Sequence, residues 1–194
     1  PEKLKGVEAG IDLTPAKGVT LSATAFYNRL DGAIANVTLT DVPNIRERQN
    51  VERIVAKGLE LTAAAQMGDF SLSASYAYSH SSVHAPGEAF DGFTPAQGPR
   101  HAASGTVAWA PRGGPSLSTT LRYVAKQYED DLQSDVLPDA LTLDAVARLP
   151  LAKGVSLVAR GENLFDETVV TRNAGGSIDL GTPRTLWIGV SWRP

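Results

Sequence analysis

The amino-acid sequence predicts an all-β fold, an antiparallel transmembrane β-barrel, and three observations carry that prediction. Apolar and polar residues alternate with period two, the signature of strands with one apolar face. Short and long connections alternate along the whole chain, as in a barrel with short turns at one rim and long loops at the other. The aromatic residues fall near strand ends, where two girdles flank an apolar band.

The clearest strand runs from Phe70 to Ser81, with Phe70, Leu72, Ala74, Tyr76 and Tyr78 on one side and Ser71, Ser73, Ser75 and Ser79 on the other. Leu117, Leu121, Tyr123 and Ala125 alternate with Ser116, Ser118, Thr120, Arg122 and Lys126. Leu141, Leu143, Ala145, Ala147 and Leu149 alternate with Thr142, Asp144 and Arg148. Leu186, Ile188, Val190 and Trp192 face away from Thr185, Ser191 and Arg193. Segments 5–13, 20–30, 51–66, 100–110 and 155–162 are similar but less pure. The total is about nine strands, many close to the ~9–11 residues a tilted strand needs to cross a bilayer.

Short connections are expected at 14–18, 67–69, 111–115 and 152–154, all rich in Gly or Pro. Long ones are expected near 31–50, 83–99, 129–138 and 163–183, and the 31–50 segment has room for an extra bend. With the short turns at the periplasmic rim, Trp109, Phe70 and Trp192 belong to the inner girdle. Tyr27, Tyr76, Tyr78, Tyr123 and Tyr128 then lie towards the outer rim.

Composition narrows the function. The chain has 194 residues, 42% hydrophobic and 20% charged, with net charge −3, so no basic stripe suggests nucleic acid. It has no cysteine, which excludes disulfides and thiolate metal sites. No apolar run reaches the ~18 residues of a membrane helix. The sequence opens at Pro1 and carries no signal peptide, which is expected of a cut inside a longer polypeptide. With an odd strand count the first and last strands would meet in parallel, and nine strands leave two open edges that lipid does not tolerate, so partner strands from an upstream chain or other subunits are expected.

Several stretches resemble TonB-dependent outer-membrane receptors. Glu162-Asn163-Leu164-Phe165-Asp166-Glu167, followed by Thr182-Pro183-Arg184-Thr185-Leu186-Trp187, is similar to the end of that family, where an "ENLFD" element follows the penultimate strand and a "PR" pair opens the last. Pro1 to Gly10 resembles its "PE…E.G" strand, and Ala25-Phe26-Tyr27-Asn28 its "FYN" strand. Asn50 to Leu61, with Lys57-Gly58-Leu59-Glu60, resembles its "N…GLE" strand, and Pro99-Arg100-His101 its "PRH" entry. One departure is the ending Trp192-Arg193-Pro194, since such barrels usually end on an aromatic residue.

The resemblance implies a plugged barrel of roughly 22 strands, of which residues 1–194 would be the C-terminal part, about the last nine strands. It also implies an outer-membrane location in a Gram-negative bacterium and uptake of a scarce nutrient such as a ferric siderophore, cobalamin or haem. The expected partners are the upstream strands and plug of the same polypeptide, TonB through the missing N-terminal region, outer-membrane lipid and a small-molecule ligand. A passive outer-membrane channel and a soluble β-sandwich binding domain are the alternatives.

Candidate sites follow from position. Glu60, Arg122, Asp144, Arg148, Arg160 and Glu162, with Glu8 and Asp12, lie on the polar side of their strands and are expected to face the lumen, pairing with one another or with the plug. His84, Phe90, Phe93, Tyr128, Arg172 and Asn173 lie in outer connections, where ligand contact is expected. Glu129, Asp130, Asp131, Asp135 and Asp139 form an acidic loop whose spacing matches no calcium loop. His80 and His84 lack a third ligand for zinc. No nucleophile elbow, helical zinc motif or phosphate loop occurs, so no enzyme activity and no cofactor are expected.

Overall fold

The structure is a computed structural model that describes residues 1–40 and 45–193. Residues 41–44, inside the expected 31–50 connection, and Pro194, the terminal residue weighed above, lie outside the described residues. In chain order the strands are β1 (Lys3–Ala16), β2 (Val19–Asp31), β3 (Ile34–Thr40), β4 (Ile45–Asn50), β5 (Arg53–Met67), β6 (Phe70–His84), β7 (His101–Trp109), β8 (Ser116–Val124), β9 (Gln127–Tyr128), β10 (Val136–Leu137), β11 (Ala140–Ala152), β12 (Val155–Glu162), β13 (Val170–Ala174), β14 (Ser177–Leu180) and β15 (Thr185–Trp192). One antiparallel nine-stranded sheet runs β1-β2-β5-β6-β7-β8-β11-β12-β15. The pairs β3-β4, β9-β10 and β13-β14 are separate two-stranded ribbons.

Each expected short connection joins two adjacent strands of the sheet at one end. The turn between β1 and β2 needs Gly18 at φ 78°, where a Cβ would come within 2.8 Å of the Gln66 carbonyl oxygen. Proline shapes the same end. Pro15 has no N–H to donate, and the β1–β2 register shifts between Leu13 and Ala16. Pro150 stands at a similar shift in the β11–β12 pair.

All long connections leave from the opposite end, as expected, and three of them carry strands of their own. The 31–50, 129–138 and 163–183 connections carry the ribbons β3-β4, β9-β10 and β13-β14. β6 also extends to His84, so Val83 and His84 belong to a strand. Backbone pairing supplies the reason: a long excursion satisfies its own N–H and C=O groups by folding back on itself.

The register separates the two faces. Ile11, Ala23, Leu61, Tyr76, Ala103, Tyr123 and Leu141 form one continuous row across the apolar face. Leu186, Ile188 and Val190 are 72, 77 and 69% exposed on that face. No second sheet covers it among the described residues, unlike the paired inner faces of a β-sandwich. Serine and threonine ladder the other face: Ser75 and Ser104 hydroxyls are 2.8 Å apart, and those of Thr106 and Thr120 are 2.9 Å apart. The buried apolar cluster sits among the long connections, in Ala33, Val37, Val51, Val83, Ala85 and Phe90.

Candidate ligand site among the outer connections

The β3–β4 ribbon continues the ends of β2 and β5 outward. Gly32 N–H donates to the Glu52 carbonyl at 2.9 Å, and Val51 N–H to the Ala33 carbonyl at 2.8 Å. Val37 and Val51 then meet Val83, Ala85 and Phe90 from the connection after β6. That connection is held by its own turns. Asp91 Oδ1 accepts the Ala85 N–H at 2.8 Å, and the Gly92 N–H donates to the Val83 carbonyl at 2.9 Å.

A third segment locks onto these two. Asp131 accepts from the Thr38 N–H at 2.9 Å and the Thr38 hydroxyl at 2.5 Å. Gln97 N–H donates to the Tyr128 carbonyl at 2.7 Å, and its side-chain amide to Glu129 at 3.2 Å. Asp130 organises its own connection, accepting from Ser134 N–H, Ser134 hydroxyl and Asp135 N–H. Burial pushes the Asp130 carboxyl up, but these three bonds outweigh it and hold the group below its ordinary value of 3.8.

Between the three segments lies a cavity of about 310 Å³. Asn36, Arg46, Gln97, Glu129 and Asp131 supply its polar wall, and Phe90 and Val83 part of its apolar wall. Arg46 Nε is buried and has no hydrogen-bond partner among the described residues. A buried guanidinium N–H without an acceptor is costly unless a ligand or water supplies one.

The expected ligand residues divide. Phe90 is 4% exposed and anchors the apolar cluster, and Phe93 packs against it. His84 lies at the cluster's margin, 3.7 Å from Glu52 and 3.5 Å from Asp91. The Arg53 guanidinium beside Glu52 holds that carboxyl below the usual range. Tyr128 joins the same assembly through Gln97, and Lys126 Nζ lies 5.3 Å from its ring centre. Arg172 and Asn173 sit apart on β13, where Arg172 faces Asp179 at 3.5 Å and Asn173 donates to the Val136 carbonyl at 3.1 Å. His80 and His84 are separated along β6 by about 13 Å of strand, too far to share an ion.

Sequence reasoning missed Thr38, Arg46 and Gln97. Thr38 and Asp131 are 93 positions apart, and no local spacing signals that pairing.

The charges expected to face the lumen share the polar face by register: Glu60 is level with Thr24, Arg122 with Ser104, Arg148 with Ser116, and Arg160 with Trp187. Arg122 pairs with Asp144, and Arg160 with Glu162. Asp144 also accepts the Asn163 N–H at 2.9 Å. Glu60 and Arg148 have no ion pair among the described residues. The aromatic residues expected to form the girdles occupy the apolar face, whereas Phe26 and Trp187 lie on the polar one. Phe70 pairs with Trp109 and Val155 with Trp192 at the short-turn end, and Tyr27, Tyr76, Tyr78 and Tyr123 lie towards the other.

The family description "TonB dependent receptor-like, beta-barrel" matches residues 1–164. The chain is 29% identical over 182 residues to the ferrichrome outer membrane transporter/phage receptor of Escherichia coli K12, covering 88% of this chain and 23% of that protein. It is 26% identical over 170 residues to the ferrioxamine receptor of Yersinia enterocolitica, covering 84% of this chain and 23% of that one. The ferric yersiniabactin uptake receptor of Yersinia pestis superimposes with TM-score 0.82 at 22% identity, over 98% of this chain and 30% of that one. The chain therefore spans about a quarter of the length of the curated relatives it matches.

Proposed function

Because the chain belongs to the TonB-dependent receptor β-barrel family, we propose that it supplies the closing strands of a receptor that takes up a ferric siderophore or a related metal chelate. Members of this family are Gram-negative outer-membrane proteins. The sheet's exposed apolar band suits that membrane, and its serine-rich face suits a hydrated, plugged lumen.

The observation that carries the reading is the outer cavity, into whose wall Arg46 brings an N–H with no partner among the described residues. A ferric hydroxamate or carboxylate chelate is rich in oxygen acceptors, and Arg46, Asn36 and Gln97 offer donors to them. The names of the relatives, receptors for ferrioxamine and ferrichrome, support the siderophore class. Upstream strands would close the barrel on β1 and β15, a plug would meet Glu60 and Arg148, and TonB would act through the region before residue 1.

The test is uptake of radiolabelled iron by an iron-starved Gram-negative strain that depends on the full-length receptor. Ferrichrome, ferrioxamine, ferric citrate and haem are supplied in turn, with and without TonB. We expect TonB-dependent uptake of a ferric chelate, weakened severalfold in apparent affinity by Arg46→Ala through loss of one charge-assisted bond. Uptake that persists without TonB would make the protein a passive channel.

A further inference from the structure

The outer connections form a series in which each packs on the next. The β3–β4 ribbon meets the connection after β6 through Val37, Val83 and Phe90. That connection meets the following one through Gln97, whose N–H donates to the Tyr128 carbonyl at 2.7 Å. The last is reached through Asn173, whose side-chain amide donates to the Val136 carbonyl at 3.1 Å. At this point β10 lies beside β13, and β14 lies on the far side of β13.

There the series stops. β13 is the one strand neighbour of β14 among the described residues, so one backbone edge of β14 is unpaired. All four β14 residues are exposed, and Ile178 and Leu180, two apart and therefore on one face, are 58 and 61% exposed. The other two ribbons each bury an apolar side chain, Val37 at 7% exposure and Leu137 at 2%. Nor is the last ribbon a loose end. The Asn163 amide donates to the Thr182 carbonyl at 3.1 Å, Arg184 pairs with Asp166 at 3.1 Å, and the Gly181 N–H donates to the Val169 carbonyl at 2.8 Å. An apolar strand held in one place with a free edge is a docking surface for another segment.

The place of β14 in the chain selects the segment. β14 leads into β15, whose own outer edge is also free among the described residues. A strand that closes the barrel on β15 runs antiparallel to it and so travels outward, leaving the membrane about 4.8 Å from the line of β15 and beside β14. β1 does not take that place, because β1 and β15 run in the same direction. The chain spans about a quarter of the curated relatives it matches, so sequence outside residues 1–194 is long enough to supply the strand. We propose that the outer connection following that strand, the first of the complete barrel, packs along β14, pairs with its free edge and covers Ile178 and Leu180 with apolar side chains. The row of outer connections then becomes a ring around the ligand cavity. The inference rests on the closure of the barrel at β15 proposed above and not on the nature of the cargo.

The experiment uses the full-length receptor in intact cells, carrying Ile178→Cys, Leu180→Cys or Glu88→Cys, the last an exposed control on another connection. Each is treated with a membrane-impermeant maleimide. We expect the two β14 cysteines to label roughly tenfold more slowly than the control. Replacing the first outer connection with a short Gly-Ser linker should abolish the difference. Equal labelling in the intact receptor, or protection that survives the replacement, overturns the proposal. Protection that vanishes when the detergent-solubilised receptor is diluted to monomers assigns β14 to a second copy and overturns it too. Closure of the barrel is read separately, by disulfide formation between Ile188→Cys on β15 and cysteines scanned along the first strand. A disulfide there with fast-labelling β14 cysteines leaves closure standing and removes the docking alone, whereas no disulfide at any scanned position removes both. Iron uptake enters none of these readouts, so a failed cargo assignment leaves them readable.

Discussion

Asn163 fixes the turn that ends β12. It adopts φ 48°, a left-handed conformation that asparagine tolerates better than most residues, and it is 5% exposed. Its amide donates to the Glu167 and Thr182 carbonyls at 2.8 and 3.1 Å, and its Oδ1 accepts the Glu167 N–H at 3.0 Å. Asn163→Ala removes all three bonds and leaves a Cβ residue in a strained conformation. We expect a loss of about 2–3 kcal/mol, read as a lower unfolding midpoint of the detergent-solubilised full-length receptor. An unchanged midpoint would mean the turn is held from elsewhere. Gly58 poses the opposite problem, one of space. A Cβ there would come within 2.1 Å of the Tyr78 carbonyl oxygen and 2.6 Å of the Phe26 ring. Gly58→Ala should therefore reduce the yield of folded, heat-modifiable barrel, and a normal yield would show that the β5–β6 backbone and Phe26 can both give way. Both residues lie in motifs that the sequence marked, around 57–60 and 162–167. Their reasons were not legible, because the Tyr78 carbonyl, Phe26 and Thr182 come from other parts of the chain.

The acidic connection after β8 shows what a single element contributes. Its carboxylates read from the sequence as an acidic loop without calcium spacing, and in the structure Asp130 spends its oxygens on Ser134 and Asp135, and Asp131 spends its own on Thr38. Asp130 is held below its ordinary value of 3.8, so the folded connection binds fewer protons than the unfolded one. Its stabilisation is complete above that value and is lost as pH falls through the lowered one. We expect the 129–138 segment to gain amide exchange below about pH 4, with Asp130→Asn exchanging fast at neutral pH. Exchange that is flat down to pH 2 in the wild type would refute the role of Asp130. Strands of the main sheet were legible because one face is apolar and period two repeats over many residues. The ribbons β3-β4, β9-β10 and β13-β14 were not, because they are short, partly solvated on both faces and paired mainly with themselves. The cavity was least legible of all, since its wall joins Asn36, Gln97 and Asp131 from three separate connections.

At the scale of the molecule, β1 and β15 each lack one neighbour, and the apolar face has no protein cover, among the described residues. Lipid tolerates such a face but not such edges, so residues 1–194 alone are expected to aggregate in buffer. A monodisperse, sheet-rich monomer without detergent would contradict that expectation. The facing of the sheet allows a sharper test with one residue type. Ala63 and Ala64 are adjacent on β5 but point to opposite sides: Ala63 pairs with Leu21 and Ala74, and Ala64 with Thr20 and Ser73. Ala63 lies between the two aromatic girdles, where an arginine facing lipid costs about 2–4 kcal/mol. On the polar face the same arginine can stay hydrated in the lumen. Ala63→Arg should therefore lower the unfolding free energy of the full-length receptor in a bilayer by about that amount, and Ala64→Arg by about 0–1 kcal/mol. Equal costs at the two positions would mean that neither face meets lipid as assigned, and a larger cost at Ala64 would turn the sheet inside out.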